Sequence, residues 1–249
     1  MKKFELTSEF VTNIFGTKLF RIKALVEFGN VKAGDLGGYI EKEENLDHDG
    51  NAWVYGDARV YGNAWVYGNA WVYGNAWVYG DARVYGNAEV CGDARVCGNA
   101  RVCGNAWVYG NAEVCGNAWV YGDARVYGNA EVCGNAEVCG NARVYGDARV
   151  CGDARVYGDA EVCGNAWVYG DADYAYAHGF GSINRTTTFF RLKDGGVGVR
   201  CGCFYGTLQE FRDKVRKTHV ETKKAKEYLM LADLMELRFK EENEDGKNN

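Results

Sequence analysis

Residues 51–62 read NAWVYGDARVYG, and this stretch decides the fold because it is two copies of one six-residue unit. The unit, Asn/Asp-Ala-x-Val-Tyr/Cys-Gly, occurs twenty times without a gap from residue 51 to residue 170. Each unit offers only one Ala and one Val to a hydrophobic core, so it cannot fold alone. Units of this kind must stack on copies of themselves, and the stretch therefore predicts a solenoid.

Alternation within each unit predicts which side chains face the core. In Ala-x-Val the Ala and the Val point to one side of a strand and x points to the other. The x position holds only Trp, Arg or Glu, so x faces solvent, while Gly and the next Asn or Asp supply the backbone freedom of a corner. One short strand and one corner per unit predict an all-β solenoid with a triangular cross-section, in which three consecutive units complete a coil.

The same pattern resembles that of the hexapeptide-repeat superfamily, in which an aliphatic residue recurs at every sixth position with a small residue two before it. The resemblance covers residues 51–170. It implies a left-handed parallel β-helix, that is, a triangular prism.

The non-repetitive flanks are predicted to cover the two ends of the solenoid, whose strand edges would otherwise stay unpaired. We expect an N-terminal β cap at 1–50, the hexapeptide-repeat β-helix at 51–176, and a β-hairpin with two helices at 177–240. The polar segment 241–249 is predicted to be a disordered tail. Within the C-terminal module, Thr207 to Glu210 form a capping-box pattern that predicts the start of the first helix.

Two flanking regions carry a second resemblance. The first contains FRIKA at 20–24 and VKAGDLGGYI at 31–40, and the second contains RTTTFF at 185–190 and CGCFYGTL at 201–208. Both are similar to segments of phage and prophage hexapeptide-repeat proteins. The first also resembles the N-terminal segment of an enterobacterial hexapeptide-repeat protein described as an acetyltransferase. The resemblance implies a phage or prophage origin and a β-helix fold, but it assigns no activity.

Composition excludes several classes of partner. The net charge of −5 gives no basic track for a phosphate backbone, so a nucleic-acid partner is not expected. No apolar run reaches the length of a membrane span or a secretory leader, so we expect a cytoplasmic protein without a membrane partner. Eight of the ten cysteines replace Tyr at one repeat position, which favours small packing residues over disulfides.

The enzymatic hypothesis is acyl transfer, because many left-handed β-helices resemble trimeric acyl-CoA-dependent acyltransferases. That resemblance implies a His as general base at a coil boundary, often beside a loop that leaves the helix. The repeats contain neither a His nor a loop, and the three histidines, His48, His178 and His219, all lie in the flanks. We therefore predict a non-catalytic protein without a cofactor and keep the acyltransferase as the alternative.

The spacing of the cysteines offers candidate metal ligands. Cys97, Cys115, Cys133 and Cys151 follow one another at intervals of three repeats, so they should form a line along one face. Zinc requires four converging ligands, and a line does not converge. No metal site is predicted.

The remaining candidate function is recognition. Trp53, Trp65, Trp71 and Trp77, with Arg59 among them, give the first coils a concentration of aromatic side chains at a position predicted to be exposed. Such residues are common interface anchors, so we predict binding of a protein partner, for example inhibition of a host protein, with a glycan as a second candidate. The other interpretation is that Trp and Tyr only stabilise the wall of the prism. A homo-oligomer formed through the C-terminal helices is also expected.

Overall fold

The computed structural model describes residues 1–181 and 185–240, so the tail predicted at 241–249 lies outside the described residues. Three strands precede the repeats: β1 (Phe4–Thr12), β2 (Lys18–Ala24) and β3 (Leu36–Ile40). Each of the twenty repeats then forms one strand of two residues, its x residue and its Val, and these are β4 to β23 in chain order.

The repeat strands form three parallel sheets, one on each face of the solenoid. Neighbours within a sheet are three repeats apart and in register, as in the pairing of Trp53 with Trp71. The first face contains Trp53–Val54, Trp71–Val72, Glu89–Val90, Trp107–Val108, Arg125–Val126, Arg143–Val144 and Glu161–Val162; the second contains Arg59–Val60, Trp77–Val78, Arg95–Val96, Glu113–Val114, Glu131–Val132, Arg149–Val150 and Trp167–Val168; the third contains Trp65–Val66, Arg83–Val84, Arg101–Val102, Trp119–Val120, Glu137–Val138 and Arg155–Val156. Every Ala and every Val of the repeats is buried. The predicted three-sided coil, with one repeat on each side, is confirmed.

The backbone of the solenoid has a fixed polarity. The N–H of Trp53 donates to the carbonyl of Ala70 at 3.1 Å, and the N–H of Tyr55 donates to the carbonyl of Val72 at 2.8 Å. In every coil, therefore, the ladder N–H groups point toward the C-terminal end and the ladder carbonyls point toward the N-terminal end. Each end exposes a different kind of hydrogen-bonding group.

Glycine is needed at the corners for two reasons. Gly74 has a φ of +73°, a left-handed conformation that side chains with a Cβ rarely adopt. A Cβ at this position would also lie 3.0 Å from the backbone nitrogen of Gly92 in the next coil. The corner therefore restricts both the backbone angle and the space.

The Asn and Asp side chains at the corners form rows that run along the prism. In one row the Asn99 amide donates to Asn117, Asn117 donates to Asn135, and Asn135 donates to the carboxylate of Asp153, at 3.1, 2.9 and 2.9 Å. Because Asp cannot donate, each bonded row ends at an Asp. Within the solenoid at 51–170, no Asp is followed by another Asp three repeats later, so no two carboxylates are stacked in these rows.

The N-terminal β cap extends the second face. β1 pairs with β2 antiparallel around Gly16, β2 pairs with β3 antiparallel, and β3 pairs in parallel with the Arg59–Val60 strand. The result is a continuous sheet of ten strands. The cap thus begins as a hairpin and ends in the register of the solenoid.

The C-terminal module is a four-stranded antiparallel sheet with two helices. Its strands are β24 (Tyr174–Phe180), β25 (Arg185–Arg191), β26 (Val197–Cys201) and β27 (Phe204–Thr207), in that order. β25 and β26 are the predicted hairpin, whereas β24 and β27 are additional. β24 spans residue 176, where the repeat domain was predicted to end; its Tyr-Ala alternation imitates the repeat, which is why the sequence did not reveal it as a separate strand.

The helices are α1 (Leu208–His219) and α2 (Lys223–Phe239). The predicted capping box is present: the Thr207 hydroxyl accepts from the N–H of Glu210, whose carboxylate accepts from the N–H of Thr207. α1 and α2 pack on the sheet through a cluster that includes Phe189 and Phe211. Among the described residues, neither helix has the length and apolarity required to cross a membrane.

Candidate functional site

A groove of about 690 Å³ lies at the N-terminal end of the third face, where the loop after β3 crosses the first coil. Its lining consists of Lys42, Glu43, Glu44, Leu46, Asp47, His48, Asn63, Ala64 and Trp65. It therefore combines one of the tryptophans singled out from the sequence with a charged segment of the cap.

Asn45 fixes this loop on the solenoid. Its side chain is fully buried, and its amide donates to the carbonyls of Gly62 and Ala64 at 3.1 and 2.8 Å. Its side-chain oxygen accepts from the N–H of Lys42 at 2.9 Å. The loop that carries Lys42 is thus attached to the first coil through one buried side-chain amide, whose oxygen and nitrogen both form hydrogen bonds.

Trp65 is the aromatic side chain of the groove, and 39% of its surface is exposed. Its ring stacks on Tyr67 at a centroid distance of 4.2 Å, and Tyr67 stacks on Tyr85 of the next coil at 4.8 Å. Because this stack supports the indole from one side, Trp65 is held in place without being covered.

His48 also lines the groove, but both of its ring nitrogens are engaged. Nδ1 accepts from the N–H of Lys3 at 3.1 Å, and Nε2 lies 2.9 Å from a carboxylate oxygen of Glu43. The acceptor role of Nδ1 places the proton of the neutral ring on Nε2. The ring also stacks on Phe4 at 4.4 Å. His48 therefore has no free lone pair with which to remove a proton from a substrate.

The charge of the groove is mainly acidic. Glu43 accepts from Lys2 at 2.9 Å, and hydrogen bonds from Lys2 and His48 lower the pKa of this carboxyl. Glu44 is exposed and Asp47 is half-buried. Lys42, the one lysine in the lining, donates to the side chain of Asn63 at 3.2 Å. The lining thus contains three carboxylates and one ammonium group, and one of these carboxylates, that of Glu43, is already paired with Lys2.

The structure corrects the expected exposure of Trp53. This side chain is fully buried, because Phe4 and Phe28 of the N-terminal cap pack against it at centroid distances of 6.2 and 5.3 Å. Trp53 belongs to the core beneath the cap and presents no surface to a partner.

The other predicted partner-binding residues lie on different faces. Trp71 is on the first face, Trp77 and Arg59 are on the second, and Trp65 is on the third. Only Arg59 and Trp77 contact one another among these residues, with the guanidinium 5.2 Å from the ring centre. Arg95 approaches the same ring at 5.9 Å. The early tryptophans therefore form no single patch, and Trp77 is packed between two arginines of its own wall.

The remaining histidines lie in the C-terminal module. His178 is on β24, where Nδ1 lies 2.8 Å from the hydroxyl of Thr186. His219 ends α1 and packs against Tyr228. Neither residue lines the groove at Trp65.

The acidic residues of the groove were not singled out from the sequence. The signal was the segment KEENLDHD at 42–49, which places four carboxylates directly before the first repeat. Its position in the chain did not show that it folds back over the third face. That placement depends on Asn45, which looks like an ordinary polar residue in the sequence.

Within residues 1–181 and 185–240, one group of side chains that could ligate a metal ion lies elsewhere, on the second face of the later coils. The carboxylate of Glu131 and the thiols of Cys133 and Cys151 lie within 4.8 Å of one another. Glu131 also forms an ion pair with Arg149 at 3.2 Å.

A family model described as the YdcK beta solenoid repeat matches six segments of the chain, at residues 52–68, 64–80, 76–92, 94–110, 136–152 and 148–162. No curated protein matches the chain. All six segments lie in the stack of parallel strands. The chain is thus a repeat β-helix protein with solenoid segments similar to those of that family.

Proposed function

We propose that this repeat β-helix protein is a non-catalytic binding protein, and that the groove at Trp65 receives a basic segment of a protein partner. The observation that carries the proposal is the half-exposed indole of Trp65, which is supported by a tyrosine stack and stands beside an acidic loop. Aromatic residues held in this way are frequent anchors of protein interfaces.

Charge complementarity supports a basic occupant. An Arg or Lys side chain stacked on Trp65 would place its cation over the indole and within reach of the carboxylates of Glu44 and Asp47. Cation–π contact and charge-assisted hydrogen bonding reinforce one another in such an arrangement. The wall of the same protein already pairs arginines with tryptophans, as Arg125 does with Trp107 at 5.3 Å.

The test is selection from a displayed library of short random peptides on the immobilised protein. We expect the selected peptides to be rich in Arg or Lys and to bind more weakly as salt is raised. Trp65→Ala should weaken their binding by on the order of tenfold or more, because it removes the central anchor. The melting temperature should remain nearly unchanged, since the indole is partly exposed.

Trp107→Ala is the matched control. Trp107 occupies the same repeat position, is 39% exposed like Trp65, and contacts Tyr109, but it is not part of the groove lining. This variant should bind the peptides as the wild type does. Equal binding by both variants, or selection of acidic peptides, would overturn the proposal. Retention of glycans alone through Trp65 would replace the protein partner with a carbohydrate.

The rival proposal is an acyl-CoA-dependent acyltransferase with His48 as general base, since His48 lines the groove. The engagement of both ring nitrogens by Lys3 and Glu43 argues against this role. Hydrolysis or transfer of an acyl group from acyl-CoA that is lost in His48→Gln, while peptide binding is absent, would favour the rival.

Three finer expectations belong to the same proposal. The flanking segments at 31–40 and 201–208 support a phage or prophage origin within the hexapeptide-repeat superfamily. Action in the cytoplasm, including inhibition of a host protein, would follow from that origin. A homo-oligomer through α2 is supported by Met230, Leu234 and Leu237, which are 71%, 55% and 69% exposed and lie on one side of the helix.

A further inference from the structure

Four of the eight repeat cysteines form an unbroken column on the second face. Cys97, Cys115, Cys133 and Cys151 each follow a strand of that face, and these strands are consecutive in its sheet. The other four occupy the same repeat position, but each has Tyr rather than Cys at the equivalent position of the adjacent coils within the solenoid; they are Cys91, Cys103, Cys139 and Cys163. The protein therefore contains stacked and isolated cysteines at the same repeat position.

The column consists of two pairs of stacked thiols. Cys97 and Cys115 directly follow strands that pair in parallel and in register, so their side chains are stacked one coil apart. Cys133 and Cys151 form the second pair, with sulfur atoms within 4.8 Å of each other. Cys97, Cys115 and Cys133 are half-buried and Cys151 is buried.

The spacing of the coils sets the geometry that these sulfurs can offer. Residues in register on neighbouring parallel strands are about 4.8 Å apart. Zinc–thiolate bonds are about 2.3 Å long, and two metal–sulfur bonds of similar length in a straight line span roughly 4.6 Å. A metal ion placed between two stacked thiolates would therefore fit the coil repeat without displacement of the backbone.

We propose that the cysteine column, Cys97, Cys115, Cys133 and Cys151, is a binding site for soft monovalent d¹⁰ cations of the Cu(I) class, with one ion held linearly between the two sulfurs of each pair. Thiolate ligands select Cu(I) among the metals that prefer soft donors. Each bound ion replaces the thiol protons of its pair, which pass to solvent.

Charged side chains of both signs stand beside the column, and the carboxylate of Glu113 lies 4.0 Å from the sulfur of Cys97. Arg95 precedes Cys97 and Arg149 precedes Cys151 at the same two-residue offset, so a positive side chain flanks each end. Two thiolates with one monovalent cation carry a net negative charge, which these guanidinium groups stabilise. Glu131 is held by Arg149 at 3.2 Å, so its carboxylate is already paired.

The test is a titration of the fully reduced protein with Cu(I), without oxygen and against a chromogenic Cu(I) chelator. Wild type should retain two more Cu(I) ions per chain than the variant in which Cys97, Cys115, Cys133 and Cys151 are all changed to Ser. X-ray absorption of the bound copper should show two sulfur ligands. Substitution of Cys97 and Cys115 alone should remove one of the two ions.

The matched control changes the isolated cysteines Cys91, Cys103, Cys139 and Cys163 to Ser. It carries the same number of substitutions at the same repeat position, so it separates loss of the site from loss of folding. This variant should keep both ions. Equal copper uptake by the wild type and the column variant would overturn the proposal. So would tight Zn²⁺ binding that Cu(I) does not displace and that Glu131→Gln abolishes, because it would establish a three-ligand site in place of the linear pairs.

Discussion

The two ends of the solenoid are covered by side chains of opposite hydrogen-bonding character. At the N-terminal end, the Lys3 ammonium donates to the carbonyls of Gly50 and Ala52 at 3.4 and 2.9 Å, and the Asn45 amide donates to two further carbonyls. At the C-terminal end, the side-chain oxygens accept instead. The carboxylate of Asp171 accepts from the N–H of Arg155 at 3.0 Å.

This difference follows from the polarity of the coil backbone. Carbonyls point toward the N-terminal end and N–H groups toward the C-terminal end, so the first coil needs donors and the last coil needs acceptors. The hydroxyl of Thr188, which accepts from the N–H of Glu161 at 2.9 Å, obeys the same rule. The side chains that cap the ladder groups of this solenoid thus follow the end that they cover, whereas the N–H of Gly62, at a corner outside the ladder, donates to the carboxylate of Glu41 at 2.7 Å.

The largest expected effect on the free energy of unfolding comes from replacing a hydrogen-bond donor with an acceptor at the N-terminal end. Asn45→Asp keeps the oxygen that accepts from Lys42 but replaces the donating amide with a carboxylate oxygen that faces the carbonyls of Gly62 and Ala64. We expect the free energy of unfolding to fall by about 3 kcal/mol or more, because buried acceptors would then face a charge. Urea unfolding followed by circular dichroism measures this loss.

The control is the reverse exchange of the same two residue types at the C-terminal end. Asp171→Asn retains an oxygen that can accept from the N–H of Arg155, so its expected cost is about 0.5 kcal/mol or less. Similar losses in the two variants would contradict the rule that backbone polarity selects the cap residues.

A smaller effect is expected from the pH dependence of the N-terminal cap. Lys3 is 3% exposed, and burial lowers the pKa of its ammonium group to about 8, against the opposing influence of Asp47 and Asp49. In the unfolded chain this lysine keeps its proton up to about pH 10.5. Between pH 8 and 10.5 the unfolded state therefore binds more protons, and the free energy of unfolding should rise with pH through this window.

Comparison of the wild type with Lys3→Met isolates this contribution, because every other titratable group is present in both proteins. The difference between the two free energies of unfolding should change in favour of the wild type by up to about 2 kcal/mol from pH 7.5 to pH 9.5. A difference that is constant across this range would show that Lys3 stays charged in the folded cap.

The solenoid could be predicted from the repeat alone, whereas the groove could be recognised only once the folded position of the N-terminal cap was known. The period of six and the alternation of Ala and Val were sufficient for the faces, the corners and the register. The burial of Trp53 was not visible, because Phe4 and Phe28 reach it from non-repetitive sequence. Trp65 was identified, but its acidic neighbours were not, since their approach depends on the bonds of Asn45 to the first coil. Once the backbone polarity is known, donors such as Lys3 could be sought in advance.

The smallest expected effect on the free energy of unfolding comes from the corner rows of Asn and Asp side chains between the two ends. In these rows, as in the backbone, donors point toward the C-terminal end. The amides of Asn117 and Asn135 donate toward the C-terminal end, as the backbone does, and Asp153 ends the row as an acceptor. Asn135→Asp would stack two carboxylates about 4.8 Å apart and should cost up to about 1 kcal/mol, with part of the loss recovered in salt. Asn117→Asp also removes one donor, but it places its charge below an amide, so it should cost less and respond less to salt. Urea unfolding at low and high ionic strength measures the loss of unfolding free energy in each variant. Equal losses would mean that the absence of stacked Asp residues in these rows reflects copying of the repeat and not repulsion between carboxylates.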